Sequence, residues 1–122
     1  ETAEEQLRIL DSMPEAEQIA GLKEWVREGD AARESWTALV AAWAAGDPET
    51  AGALLNREMV KMPVSAKLLL EDRNRRWAAA IAKRMQEPGT LFVAVGAGHL
   101  MGDRSVQALL KEKGILAERL PY

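Results

Sequence analysis

Leu91-Phe92-Val93-Ala94-Val95-Gly96-Ala97-Gly98-His99-Leu100-Met101-Gly102 is the stretch on which the reading of the fold turns. Five apolar residues run without interruption from Leu91 to Val95. Glu87-Pro88-Gly89 precedes them and a glycine-rich segment follows. Such a run, bounded by turn residues, predicts a strand buried on both faces, as in a parallel sheet. A helix is then expected over about Asp103 to Lys113, with Val106, Leu109 and Leu110 facing inward. Gly114 ends it, and Ile115 to Leu120 reads as a second strand. Strand, helix and strand joined by short connections imply a right-handed parallel β-α-β unit.

Upstream, the texture is helical. Thr2 and Glu5 have the spacing of a capping box at the head of a helix over about Thr2 to Met13. Pro14 suits the first turn of the next, about Pro14 to Glu28, whose Ile19, Leu22, Trp25 and Val26 recur at helical spacing. A third helix over about Ala31 to Ala45 carries Trp36, Leu39, Val40 and Trp43. Trp25, Trp36 and Trp43 are therefore expected to be packed, because large aromatics dominate core burial. Gly46-Asp47-Pro48 stops that helix and starts a fourth, which runs to about Met59. The longest helix is expected over about Val64 to Gln86. At about 100° per residue, Leu69, Leu70, Trp77, Ala80 and Ile81 share one face, with Arg73 and Asn74 inside that apolar stripe and Glu71 near its edge. A charged side chain inside such a stripe snorkels, pairs locally or serves a site.

The fold class expected is thus α+β or α/β. A helix-rich N-terminal two-thirds is followed by a C-terminal parallel β-α-β unit. Residues 1–62 form a lid-like helical section, and residues 63–122 the long helix plus the β-α-β unit with its histidine loop. The chain has 122 residues, 48% hydrophobic and 29% charged, an ordinary balance for one folded core. Net charge is −3, without the basic surplus of a nucleic-acid binder. No apolar run is long enough to span a bilayer. Cysteine is absent, which excludes disulfides, thiolate metal sites and a cysteine nucleophile.

The single histidine, His99, is the best candidate functional residue. Open α/β sheets bind ligands at the carboxyl ends of their strands, and Gly96 and Gly98 beside it would let the backbone approach a ligand. An imidazole there can ligate a metal, act as a base or stabilise an oxyanion. A catalytic zinc site takes three protein ligands, so one imidazole must be supplemented by carboxylates, another chain or sequence outside this one. Gly96, Gly98 and Gly102 also form G-x-G-x-x-x-G, a variant of the dinucleotide-binding fingerprint. That reading is weakened by the helical character of the preceding residues.

Leu70-Glu71-Asp72-Arg73-Asn74-Arg75-Arg76-Trp77 together with Leu91 to Leu100 resembles the closing half of the TraB/GumN family. That pattern is an R-N-x-x-W helix, a V-G-A-G-H-L block, a helix and a final strand. Glu1 to Leu7, Gln18, and Trp43 with Gly46-Asp47 are similar to further family segments. Met101 departs from the usual proline before Gly102, and Arg104-Ser105-Val106 from the usual helix start. The resemblance implies a relative of the Tiki metalloproteases and of the erythromycin-esterase/ChaN-like fold. It implies two G-x-x-H motifs in two related halves, with an acidic residue in the first half. Gly96-Ala97-Gly98-His99 matches the second motif, so this chain is expected to be a half-site completed by an N-terminal half of the same protein. Its expected function is then a metal-dependent hydrolase or peptidase, inactive as a fragment. His99 would be ligand to a divalent ion, Arg73 and Asn74 would orient substrate or ligand, and Gly96, Gly98 and Glu71 would line the loop site. Many members are exported, which implies periplasm or cell envelope. The competing expectation is a non-catalytic binding module whose four amphipathic helices form a partner surface. A third is a homodimer that joins two His99 loops or pairs exposed sheet edges.

Overall fold

A computed structural model describes residues 1–120 of the chain. Its regular elements are helical: α1 (Ala3–Asp11), α2 (Glu15–Glu28), α3 (Asp30–Ala44), α4 (Pro48–Met59), α5 (Pro63–Ala66), a π turn (Lys67–Glu71), α6 (Asp72–Arg84), a 3₁₀ turn (Ala97–Leu100) and α7 (Val106–Lys111). The chain divides into two compact units, Glu1–Leu69 and Leu70 onward.

In the first unit the local signals act as the sequence dictates. Thr2 Oγ1 accepts from the Glu5 N–H at 3.1 Å, and the Glu5 carboxylate accepts from the Thr2 N–H at 2.7 Å, which closes the capping box of α1. Gly46, at φ 67°, ends α3 in a conformation few other residues tolerate. Asp47 Oδ1 then accepts from the N–H groups of Glu49 (3.2 Å) and Thr50 (3.0 Å) and caps α4. Ala42 and Ala51 are buried where α3 and α4 pack, and their small side chains allow close approach.

The expected burial of the tryptophans is not what the fold does. Trp25 is 71% exposed and Trp36 62%, and Trp43 is equally open. On α3 the covered stripe is Ala32, Ser35, Leu39 and Ala42, offset from the tryptophan stripe. Both stripes have helical spacing, so periodicity shows that a face exists without showing which face a neighbour covers. On α2 the inversion is complete. Glu17, Gly21, Glu24 and Glu28 are the half-covered positions, while Ile19, Leu22, Trp25 and Val26 face solvent.

Glu17 explains part of that inversion. Its carboxylate accepts from the N–H groups of Val64 (3.0 Å) and Ser65 (2.8 Å) and from the Ser65 hydroxyl (2.6 Å). It thereby supplies the cap that α5 lacks locally, since Met62 offers no side-chain acceptor. Glu28 accepts from Lys61 at 2.7 Å.

In the second unit α6 packs on α7. Ala78, Val106, Leu109 and Leu110 form the buried cluster, with Trp77, Ile81, Ala82 and Ile115 against it. Ser105 is buried and caps α7 through the Ala108 N–H (3.4 Å). Gly114, at φ 77°, closes α7, and the Ile115 N–H reaches back to the Leu110 carbonyl at 3.0 Å, the bond pattern of a Schellman motif.

The expected β-α-β unit is overturned. Among the described residues there is no strand: Leu91–Val95 and Ile115–Leu120 are both irregular. A strand exists through ladder bonds to a neighbour, and neither segment takes up such a ladder here. Phe92 is accordingly 90% exposed. An apolar run reports a tendency to be buried and carries no information about a partner strand. Without strands, the dinucleotide reading loses the strand-to-loop geometry it needs, and dimerisation through sheet edges loses the edges. No helix among the described residues is long and apolar enough to cross a membrane.

Candidate functional site around His99

The site is assembled within the second unit, from α6 and the turn that precedes α7. Three residues of α6 supply it. Arg73 and Trp77 are four apart and Asn74 and Trp77 three apart, so all three project from one side of the helix.

His99 sits on the 3₁₀ turn Ala97–Leu100, held by its own N–H to the Gly96 carbonyl at 2.9 Å. It is 8% exposed. Its Nδ1 lies 2.6 Å from Asn74 Oδ1. Asn74, 2% exposed, also donates through Nδ2 to the Arg104 carbonyl at 2.7 Å. One amide therefore spans both ends of the loop, from the histidine to the residue before the α7 cap. Trp77 packs on the imidazole with ring centroids 4.6 Å apart and planes tilted by 57°. The Arg73 guanidinium lies over the Trp77 ring, 4.8 Å from its centre. From α7, the Gln107 side-chain amide donates to the Leu100 carbonyl at 2.5 Å and braces the turn. Gln107 Oε1 is buried and accepts no hydrogen bond among the described residues.

The sequence-predicted residues are thus partly united. His99 and Asn74 are in direct contact. Arg73 joins them through Trp77, not at the mouth of a sheet. Glu71 lies in the π turn and pairs with Arg75 at 3.7 Å. Gly96 contributes its carbonyl. At φ −63° its backbone is open to any residue, and a Cβ there would meet His99 Cδ2 at an unremarkable 3.9 Å. Neither Gly96 nor Gly98 is in the left-handed region; the loop glycine that needs its freedom is Gly102, at φ 75°. Trp77 and Gln107 were not singled out from sequence as site residues. The signal for Trp77 was available in its spacing from Asn74, whereas nothing local marks Gln107.

The donor set is narrow. Among the described residues, no group of three His, Cys, Asp or Glu lies where it could hold a metal ion. A lone imidazole does not make a divalent-metal site, which takes three or more protein ligands in catalytic zinc centres. The residues present do not by themselves fit the ion that the family resemblance implies.

The family profile described as TraB/PrgY/gumN matches residues 1–119, and the chain belongs to that family. No curated protein and no solved structure matches it.

Proposed function

We propose that this member of the TraB/PrgY/gumN family is one half of a hydrolytic site. It presents a single, rigidly held imidazole, His99, to groups supplied from outside these 122 residues. The observation that supports this most directly is the buried Asn74–His99 bond at 2.6 Å, on the one G-x-x-H loop of the chain. A buried polar pair of this kind is costly unless fully satisfied. The turn that carries it is braced further by the Gln107 bond to the Leu100 carbonyl.

In this reading His99 accepts a proton from an attacking water or occupies one corner of an ion site. No step is routed through an ion, because one nitrogen is not a ligand set. Asn74 and Trp77 fix the ring. Arg73 places a guanidinium beside the stack, suited to an anionic group on a substrate. The orphan Gln107 Oε1 is an acceptor that a water or substrate N–H would satisfy.

The test uses the protein that carries this chain and a panel of peptide and ester substrates. His99→Ala abolishes turnover and Arg73→Ala raises KM for acidic substrates. Unchanged turnover in His99→Ala overturns the reading.

A second reading, a binding module, is favoured by the solvent-facing row Ile19, Leu22, Trp25 and Val26 on α2. It is also favoured by a cavity of about 370 Å³ lined by residues such as Trp25, Trp36, Leu39, Leu54 and Met62, a size within the usual range for ligand pockets. Binding of a hydrophobic dye that is lost in Trp36→Ala, with no hydrolysis in any assay, would favour it.

A further inference from the structure

We infer that His99 is held as the Nδ1–H tautomer, with its lone pair on Nε2, and that Asn74 is the positioning residue that selects this form. The argument follows from which atoms can donate. The Arg104 carbonyl oxygen, 2.7 Å from the Asn74 amide, can only accept. The Asn74 NH₂ group must therefore face it. That orientation turns Oδ1 toward His99 Nδ1 at 2.6 Å. Oδ1 can only accept as well, so the hydrogen in that contact belongs to the imidazole. The side-chain amide is thus oriented from its far end, by a backbone atom that has no alternative role.

The ring has little opportunity to turn over. A half-rotation would set Cδ2–H against Oδ1 and forfeit the bond. Trp77 covers one face at a centroid distance of 4.6 Å. A histidine side chain in water prefers the opposite, Nε2–H, form. The fold thus spends one buried hydrogen bond on reversing a solution preference, and places the basic nitrogen on the edge that Asn74 does not touch. The assignment of the Nδ1 proton stands on the Asn74 geometry and is independent of the hydrolytic reading above.

The chain carries one histidine, so ring ¹⁵N signals need no assignment. Two-bond ¹H–¹⁵N correlations on the ¹⁵N-histidine-labelled chain, recorded where the ring is neutral, read the tautomer directly. The wild type is expected to show Nδ1–H in roughly tenfold excess or more, the size of effect a buried hydrogen bond produces. Asn74→Ala, verified as folded by circular dichroism, shifts the population to Nε2–H. A wild-type spectrum dominated by Nε2–H overturns the inference, and so does a folded Asn74→Ala that keeps Nδ1–H. Should Asn74→Ala not fold, the wild-type spectrum decides: Nε2–H there refutes it. Failure of the hydrolytic reading would appear as undiminished turnover in His99→Ala and would leave the tautomer spectra untouched.

Discussion

Replacing Asn74 by alanine is expected to destabilise the second unit by about 3 kcal/mol, through two unequal losses. The bond to the Arg104 carbonyl (2.7 Å) is the lesser one. Arg104 is an exposed residue, so water can replace the amide, and the net cost is about 1 kcal/mol. The bond to His99 (2.6 Å) is the greater. The ring is buried, and its Nδ1–H becomes an orphan donor worth about 1–3 kcal/mol. Native-state hydrogen exchange of α6 and α7 amides isolates this unit from the rest of the chain. A loss of about 3 kcal/mol lowers their protection roughly a hundredfold. The decisive measurement is the double-mutant cycle with His99→Ala. Once the ring is gone Asn74 has only its carbonyl partner, so the two substitutions should fall short of additivity by about 1–2 kcal/mol. Additive effects, or a protection change below threefold for Asn74→Ala, would refute the account of the Asn74–His99 pair.

Three further outcomes follow from the same structure. The Ser65 hydroxyl bond, aided by the Ser65 and Val64 N–H groups, holds the Glu17 carboxyl below its ordinary 4.5, and the Lys61 hydrogen bond does the same for Glu28. Both folded pKa values are depressed, so the stability they contribute is present above the ordinary value and is lost as pH falls through the folded ones. Amide protection at Val64 and Ser65 should therefore drop as pH falls below the ordinary carboxylate value and through the depressed folded one, and Glu17→Gln should lower it already at neutral pH; protection independent of pH would contradict the cap. Leu110→Ala should cost about 2–4 kcal/mol in chemical denaturation, as expected for a buried leucine, and a cost under about 1 kcal/mol would mean that the α6–α7 cluster is not a core. Phe92→Asp should change stability by less than about 0.5 kcal/mol, because the ring is already in solvent, while raising solubility; a large destabilisation would show that Leu91–Val95 is packed after all.

Sequence revealed most where the physics is local. The capping box at Thr2 and Glu5, the Gly46-Asp47-Pro48 restart and the Gly114 end of α7 are each settled within a few residues, whereas α7 begins at Val106 behind the Ser105 cap and not at Asp103. That Asn74 and Arg73 take partners was legible too, since amide and charged groups inside an apolar stripe call for them; Asn74 meets His99 and Arg73 meets Trp77. What failed were inferences about neighbours. Leu91–Val95 has the composition of a buried strand, but pairing depends on a second segment that no local pattern supplies. Trp36 and Trp43 have helical spacing, yet α3 packs through the parallel row of Ala32, Leu39 and Ala42. The Glu17 cap joins positions 47 and 48 residues apart, beyond the reach of any periodicity.

Trp77 gives the molecule its own optical gauge. Its indole touches the imidazole at 4.6 Å and the guanidinium at 4.8 Å, and both are effective modulators of indole emission. The remaining three tryptophans lie in the other unit. Phenylalanine at those three positions would leave one fluorophore, whose brightness follows whatever docks on, protonates or displaces the ring beside it, with no label added.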